Sequence, residues 1–219
     1  MHPTDPSRRR LLTGAAGLTG GLLIGGLLRP DPAHAAATPP RVYTRAEWNA
    51  RPPTGAIRYL DRQPDHIVVH HTAGENTTDY SLAAAFRHSH WIQDLHMDRN
   101  GWIDSGQQLT ISRGGYVMEG RSLSLRAITE GQHVSGAQTA NHNDHTIGIE
   151  NEGIYVSAPV PAKLFGSLVQ TCAWLCATYD LDPFAAIVGH RDYVNTQCPG
   201  DVLYARLPEL RQKVAAAMG

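Results

Sequence analysis

The chain has 219 residues, with 19 Lys and Arg against 20 Asp and Glu, for a formal net charge of −1. Near-neutrality, with no basic run beyond Arg8–Arg10 and no heptad repeat, argues against nucleic-acid and coiled-coil partners. The length and the 42% hydrophobic content suffice for one domain with a substantial core.

Residues 1–35 read as an export signal. Arg8, Arg9 and Arg10 precede an apolar run from Leu11 to Leu28 that six glycines dilute, and Ala33 and Ala35 supply the small residues of a cleavage site. "SRRRLL" is close to the twin-arginine pattern. An uncleaved anchor is the other reading of an apolar run this long, but the glycines and the cleavage site weigh against it. The expected product is therefore extracytoplasmic, without stable membrane insertion. Residues 36–45 read as a short polar linker and 46–219 as the folded domain.

Along that domain, apolar and alternating runs predict strands at Ile67–His70, Gln107–Ser112, Tyr116–Glu119, Thr146–Glu152 and Ala186–Gly189. "RGG" at 113–115 reads as a hairpin turn. Helical patterns cover Ser81–Asp98, Pro161–Tyr179 and Tyr204–Ala217, with Leu82, Phe86, Ile92 and Leu95 expected to face the core. Pro161 suits a first helical turn. Strands and helices interleave, so the expected class is α/β, a mixed central β-sheet flanked by helices in a single domain. Sites on such sheets gather at strand ends.

Three cysteines fall in the second half of the chain. Cys172 and Cys176 are four apart on one helix face and read as buried small hydrophobes, the alternative being a geometrically awkward bridge along one helix turn. Cys198 is left over, in "GHRDYVNTQCPG". Among the histidines, His88, His90 and His96 on a helix read as surface or ordinarily hydrogen-bonded groups, as do His66, His142 and His145. His70 and His71 differ, because they end the apolar run "HIVVHH". Successive strand residues face opposite sides, so only one can enter a given site, and periodicity does not choose between them. His190 likewise follows the apolar "AAIVG". Two neutral imidazoles and one thiolate would hold zinc with a fourth position open for water, and coordination would explain a thiol surviving outside the cell. The alternative for Cys198 is a free thiol or an intermolecular bridge.

"RAEWNARPP" (45–53), "HIVVHHTAG" (66–74), "GWIDSGQQLTISRGGYVMEGR" (101–121), "HTIGIENEG" (145–153) and "GHRDYVNTQCPG" (189–200) follow one another in an order that resembles the zinc amidases of the peptidoglycan recognition protein and type 2 N-acetylmuramoyl-L-alanine amidase family. The resemblance spans about residues 42–212. It implies a mixed sheet with a groove over one face and Zn2+ ligands at His70, His190 and Cys198. His71 then becomes a supporting residue, grouped with Gln107 and Asn151 on the substrate side.

One departure stands out. Many members carry a tyrosine beside the metal-activated water where this chain has Gln107, and glutamine cannot act as a general base. The stretch "TIGIENEG" resembles bacterial cytoplasmic-type amidases of the wider family, in which a glutamate matching Glu150 is the catalytic carboxylate. Its pattern sets Ile147 and Ile149 on one face and Gly148, Glu150 and Glu152 on the other, with Glu152 as the fallback. Thr196 matches a family position near the substrate carbonyl, and His133 resembles a histidine lining the cleft. The resemblance thus implies a hydrolase of the amide between N-acetylmuramic acid and L-alanine in peptidoglycan or muramoyl-peptides, and with nothing in the sequence that suggests an obligate assembly a monomer is expected. Two alternatives remain open: a peptidoglycan-binding protein without turnover, and a zinc hydrolase of another amide.

Overall fold

The computed structural model describes residues 37–219, and the expected export signal lies outside the described residues. Strand β3 (His66–His71) organises the rest. Its Ile67, Val68 and Val69 are wholly buried, and a run apolar on both faces belongs inside a sheet covered on both sides. Parallel strands flank it, β7 (Thr146–Asn151) on one side and β8 (Ile187–Gly189) on the other. Beyond β7 lie β4 (Leu109–Ile111), parallel to it, β5 (Val117–Glu119), antiparallel to β4, and β1 (Val42–Tyr43), parallel to β5. The mixed sheet runs β1-β5-β4-β7-β3-β8, and a separate antiparallel ribbon pairs β2 (Tyr59–Leu60) with β6 (His133–Val134). The turn between β4 and β5 is the expected one. Gly115 takes φ +87, which an L side chain resists, and its N–H donates to the Ser112 carbonyl at 2.9 Å.

Part of the expected 36–45 linker belongs to the fold. Val42 and Tyr43 pair with Val117 and Met118, and the Tyr43 ring meets Phe86 and Tyr116 edge-on at 5.5 and 5.9 Å. An open edge of β5 and an aromatic pocket recruit a segment whose composition looked merely polar.

The two faces of the sheet differ. Ile67, Val69, Leu109, Ile111, Ile147, Ile149 and Ile187 form one core with α3 (Ala162–Tyr179) and α6 (Leu207–Met218). Cys172 and Cys176 are buried there as free thiols. Helix α1 (Leu82–Asp94), capped by Ser81 Oγ on the Ala84 N–H, lies over the opposite face and continues as a π-helical turn, Leu95–Arg99. Its closest side is small, with Ala84, Ala85 and Ser89 buried beside Ile92, while Leu82, Phe86 and Leu95 are only half-buried. Small residues let the helix approach Met118 on that face. Three short helices complete the chain: α2 (Ser124–Thr129), α4 (Pro183–Ala186) and α5 (Asp201–Tyr204). None of the described helices is long and apolar enough to cross a membrane.

Candidate active site

Strand register brings the chemistry together. His70 lies opposite Glu150 on β7, and Glu150 lies opposite Thr110 on β4. Cross-strand partners share a face, so all three project from the face that α3 does not cover. His190 opens a 3-10 turn (His190–Asp192) immediately after β8. Because β3, β7 and β8 are parallel, their carboxyl ends coincide, and the site forms there.

His70, His190 and Cys198 present ligand atoms within 4.8 Å of one another. The His70 and His190 rings are 4.4 Å apart, and Cys198 Sγ is 3.6 Å from His70 Nδ1. The loop returning Cys198 is pinned by local bonds. The Arg191 N–H donates to the Cys198 carbonyl at 3.1 Å, the Arg191 guanidinium meets Asp201 and the Gln197 carbonyl, and the His71 N–H donates to Cys198 Sγ at 3.4 Å.

Burial dominates the protonation of these groups. It depresses His70 to about 3, with His190 adding to the effect, holds His190 below its ordinary value, and pushes the Cys198 thiol up to about 12. Neutral imidazoles are the ligand form. A thiol this reluctant to ionise alone becomes a thiolate when a cation compensates its charge. The donor set, two imidazoles and one sulfur, suits zinc with an open position.

Gln138 completes the set and was not foreseen from sequence. Its amide nitrogen donates to Thr146 Oγ1 at 2.9 Å, so its Oε1 faces His70 Nε2, at 2.7 Å. His70 therefore carries its proton on Nε2 and turns the Nδ1 lone pair toward Cys198. Gly148 makes this possible, since a Cβ there would stand 2.6 Å from the Gln138 side chain. A glycine between two strand isoleucines was the available signal, because such a position often marks a close approach.

The cleft has a volume of about 440 Å³ and is lined by these ligands together with His71, Trp102, Gln138, Glu150 and Thr196. Burial pushes Glu150 up to about 8, and His96 Nε2 stands 3.9 Å from its Oε1. The Thr196 hydroxyl accepts from the Cys198 N–H at 3.2 Å, which leaves its own proton free to donate.

Other expected residues fall elsewhere. His133 sits in the β2–β6 ribbon with Nε2 donating to the Asn143 carbonyl at 3.1 Å, and it does not line the cleft. Asn151 is fully buried, and its amide donates to the His70 carbonyl at 2.8 Å. As the strand residue after Glu150 it faces away from the cleft, so it supports the ligand strand rather than meeting a substrate. Gln107 is buried outside the lining and donates to Thr110 Oγ1 at 2.8 Å. His71 borders the cleft, but its Nδ1 accepts the Tyr155 N–H at 3.2 Å. Glu152, the fallback carboxylate, accepts the Arg113 N–H at 2.7 Å beside His88, outside this cleft.

Residues 60–201 match the family model described as N-acetylmuramoyl-L-alanine amidase. The chain is 34% identical over 172 residues to the N-acetylmuramoyl-L-alanine amidase of Sus scrofa, an alignment covering 77% of this chain and 27% of the relative. It thus spans about a quarter of that relative's length. It is 30% identical to peptidoglycan-recognition protein SD of Drosophila melanogaster, covering 77% of this chain and 84% of the relative. The solved structure of Drosophila recognition protein SD superposes with a TM-score of 0.67 at 28% identity, covering 77% of this chain and 94% of that one. A variant of Drosophila recognition protein LB in complex with tracheal cytotoxin gives 0.66 at 25% identity, covering 78% and 95%. The matched span includes both strand-end histidines, Glu150 and Cys198, and on that match the chain belongs to the N-acetylmuramoyl-L-alanine amidase family.

Proposed function

We propose that this chain is an exported zinc amidase that hydrolyses the bond between N-acetylmuramic acid and the L-alanine of the peptidoglycan stem. The observation that carries the reading is a carboxylate, Glu150, on the same sheet face and in the same cleft as His70, His190 and Cys198. A binding groove needs no buried carboxylate beside an open metal-donor set. Family membership and a fold shared with a tracheal-cytotoxin complex support the substrate class, and the N-terminal sequence supports export.

His70, His190 and Cys198 would hold the metal, which when bound supplies a Lewis acid for the scissile carbonyl and acidifies the attacking water. Gln138 fixes the His70 tautomer so that Nδ1 remains a donor to the metal. Burial keeps Glu150 protonated up to about 8, which a cation held in the cleft would offset, and the ionised carboxylate then takes the proton from the attacking water and passes it to the leaving amine nitrogen of L-alanine. Thr196 donates its hydroxyl proton to the oxyanion that develops on the carbonyl. Gln107 replaces the family tyrosine without leaving the cleft short of a proton acceptor, because Glu150 fills that role.

The test incubates zinc-loaded protein with purified cell wall and follows stem-peptide release by mass spectrometry. The reading expects release by wild type. It also expects a loss of about 10²- to 10⁴-fold in Glu150→Gln with zinc content unchanged. Binding without release by wild type would select the recognition-protein alternative that the missing tyrosine favours.

A further inference from the structure

A second group of metal donors stands apart from the cleft. Asp65, His66 and His145 bring a carboxylate oxygen and two imidazole nitrogens within 4.8 Å of one another. Asp65 Oδ1 is 2.6 Å from His66 Nδ1 and 2.7 Å from His145 Nδ1. His145 Nε2 in turn is 3.0 Å from His142 Nδ1.

The scaffold under these donors is rigid. His66 opens β3 opposite Thr146, the first residue of β7, and the Asp65 N–H donates to the His145 carbonyl at 2.9 Å. The donors therefore ride on the joined starts of two paired strands, as a precise site requires. His70 lies four residue steps along β3 from His66, about 13 Å at ~3.3 Å per residue, so this is not an extension of the cleft. The side chains of Asp65, His66 and His145 are 53%, 34% and 27% exposed, so an ion can reach them and water can fill its remaining positions.

We propose that Asp65, His66 and His145 form a second site, for a divalent transition metal such as Zn2+, Ni2+ or Co2+. Two imidazoles with one carboxylate favour these ions over Mg2+ and Ca2+, which take oxygen ligands. The protons balance without a further group. Without metal, each Nδ1–H donates to Asp65, and coordination through Nδ1 moves each ring proton to Nε2. His145 Nε2–H then donates to His142 Nδ1, which holds the ligand ring in the tautomer that coordination needs. Seating an ion at about 2.0–2.2 Å from each donor spreads the present contacts by less than ~1 Å. Tyr193, from the loop between His190 and Cys198, lies 4.2 Å from the His142 ring. An ion here would therefore brace the segment that carries two cleft donors.

The experiment titrates metal-free full-length protein with Co2+, followed by calorimetry and absorption. The proposal expects an event without thiolate-to-metal charge transfer, separate from any event at Cys198 that shows it. The His66→Ala/His145→Ala double variant should lose the band-free event and keep any thiolate band. Cys198→Ser should do the reverse. Asp65→Asn, which preserves shape, should weaken the band-free event at least tenfold and keeps the test decisive if the double variant misfolds. Wild type without a band-free event, or substitutions that leave that event unchanged, would overturn the second site. A missing thiolate band would count only against the cleft.

Discussion

At the scale of single residues, the site depends on an amide as much as on its ligands. Gln138 accepts from His70 Nε2 and is itself oriented by Thr146. Replacing it with leucine leaves His70 free to flip or to exchange tautomers. Gln138→Leu should therefore weaken zinc binding by about 10- to 100-fold, measured by competition with a chromophoric chelator. Unchanged affinity would mean that the strand alone holds the ring. The apolar runs drew attention to the His70/His71 pair and to His190, but the choice of His70 over His71 and the role expected of Glu150 came from the family resemblance. Gln138 was not, because "SGAQTANHN" is aperiodic and its contact arises only when the loop folds back over Gly148. His133 misled for a related reason, since a resemblance across a loop of uncertain length cannot say which residue reaches the cleft.

At the scale of elements, the sheet is a partition. One face meets α3 and α6 through aliphatic side chains, and the other carries His70, Thr110 and Glu150. The strands that carry the candidate cleft are thus anchored from behind. Leu168 of α3 is fully buried in that anchor. Leu168→Ala should cost about 2–5 kcal/mol, read from denaturant midpoints, with little change in metal affinity while the protein remains folded. A large loss of affinity at constant fold would show that the faces are coupled. The long elements were legible, β3 as a continuous apolar run and β7, α1, α3 and most of α6 as patterns that extend over several residues. The two-residue strands β1, β2 and β6 were not. Their hydrogen bonds come from open edges supplied by distant segments, and two residues carry no period.

At the scale of the whole molecule, buried imidazoles set the response to acid. Burial lowers His88, His96 and His133 to about 4. Between that value and the ordinary histidine value near 6.5, the unfolded chain binds protons that the folded chain refuses. Stability then rises with pH across this window and is lost on acidification, by up to about 1.4 kcal/mol per pH unit for each ring. Glu150 works in the opposite sense. Its raised value near 8 means that the folded state holds a proton the unfolded state has released above the ordinary carboxylate value. Its contribution is present at low pH and fades as pH rises toward 8. With His70, His71 and His190 depressed as well, the buried imidazoles outweigh the raised carboxyls of Glu150 and Glu152, so unfolding midpoints of the metal-free protein should climb from pH 4 to 6.5. His133→Gln, which keeps a donor for Asn143, should flatten that climb; an unchanged slope would clear His133 of any part in it.

The order of strands in the sheet has a consequence for how the protein is made. The central strand β3 is among the first elements synthesised, yet its two neighbours, β7 and β8, are among the last strands. Until residue 151 has emerged, both edges of "HIVVHH" lack their native partners, and unpaired apolar edges invite association between chains. His70 likewise has no native co-ligand until His190 and Cys198 have been added. An ion held by the full cleft set would therefore require a finished chain, and a ribosome-bound fragment ending before β8, though it already carries Asp65, His66 and His145, should show no thiolate-to-metal band.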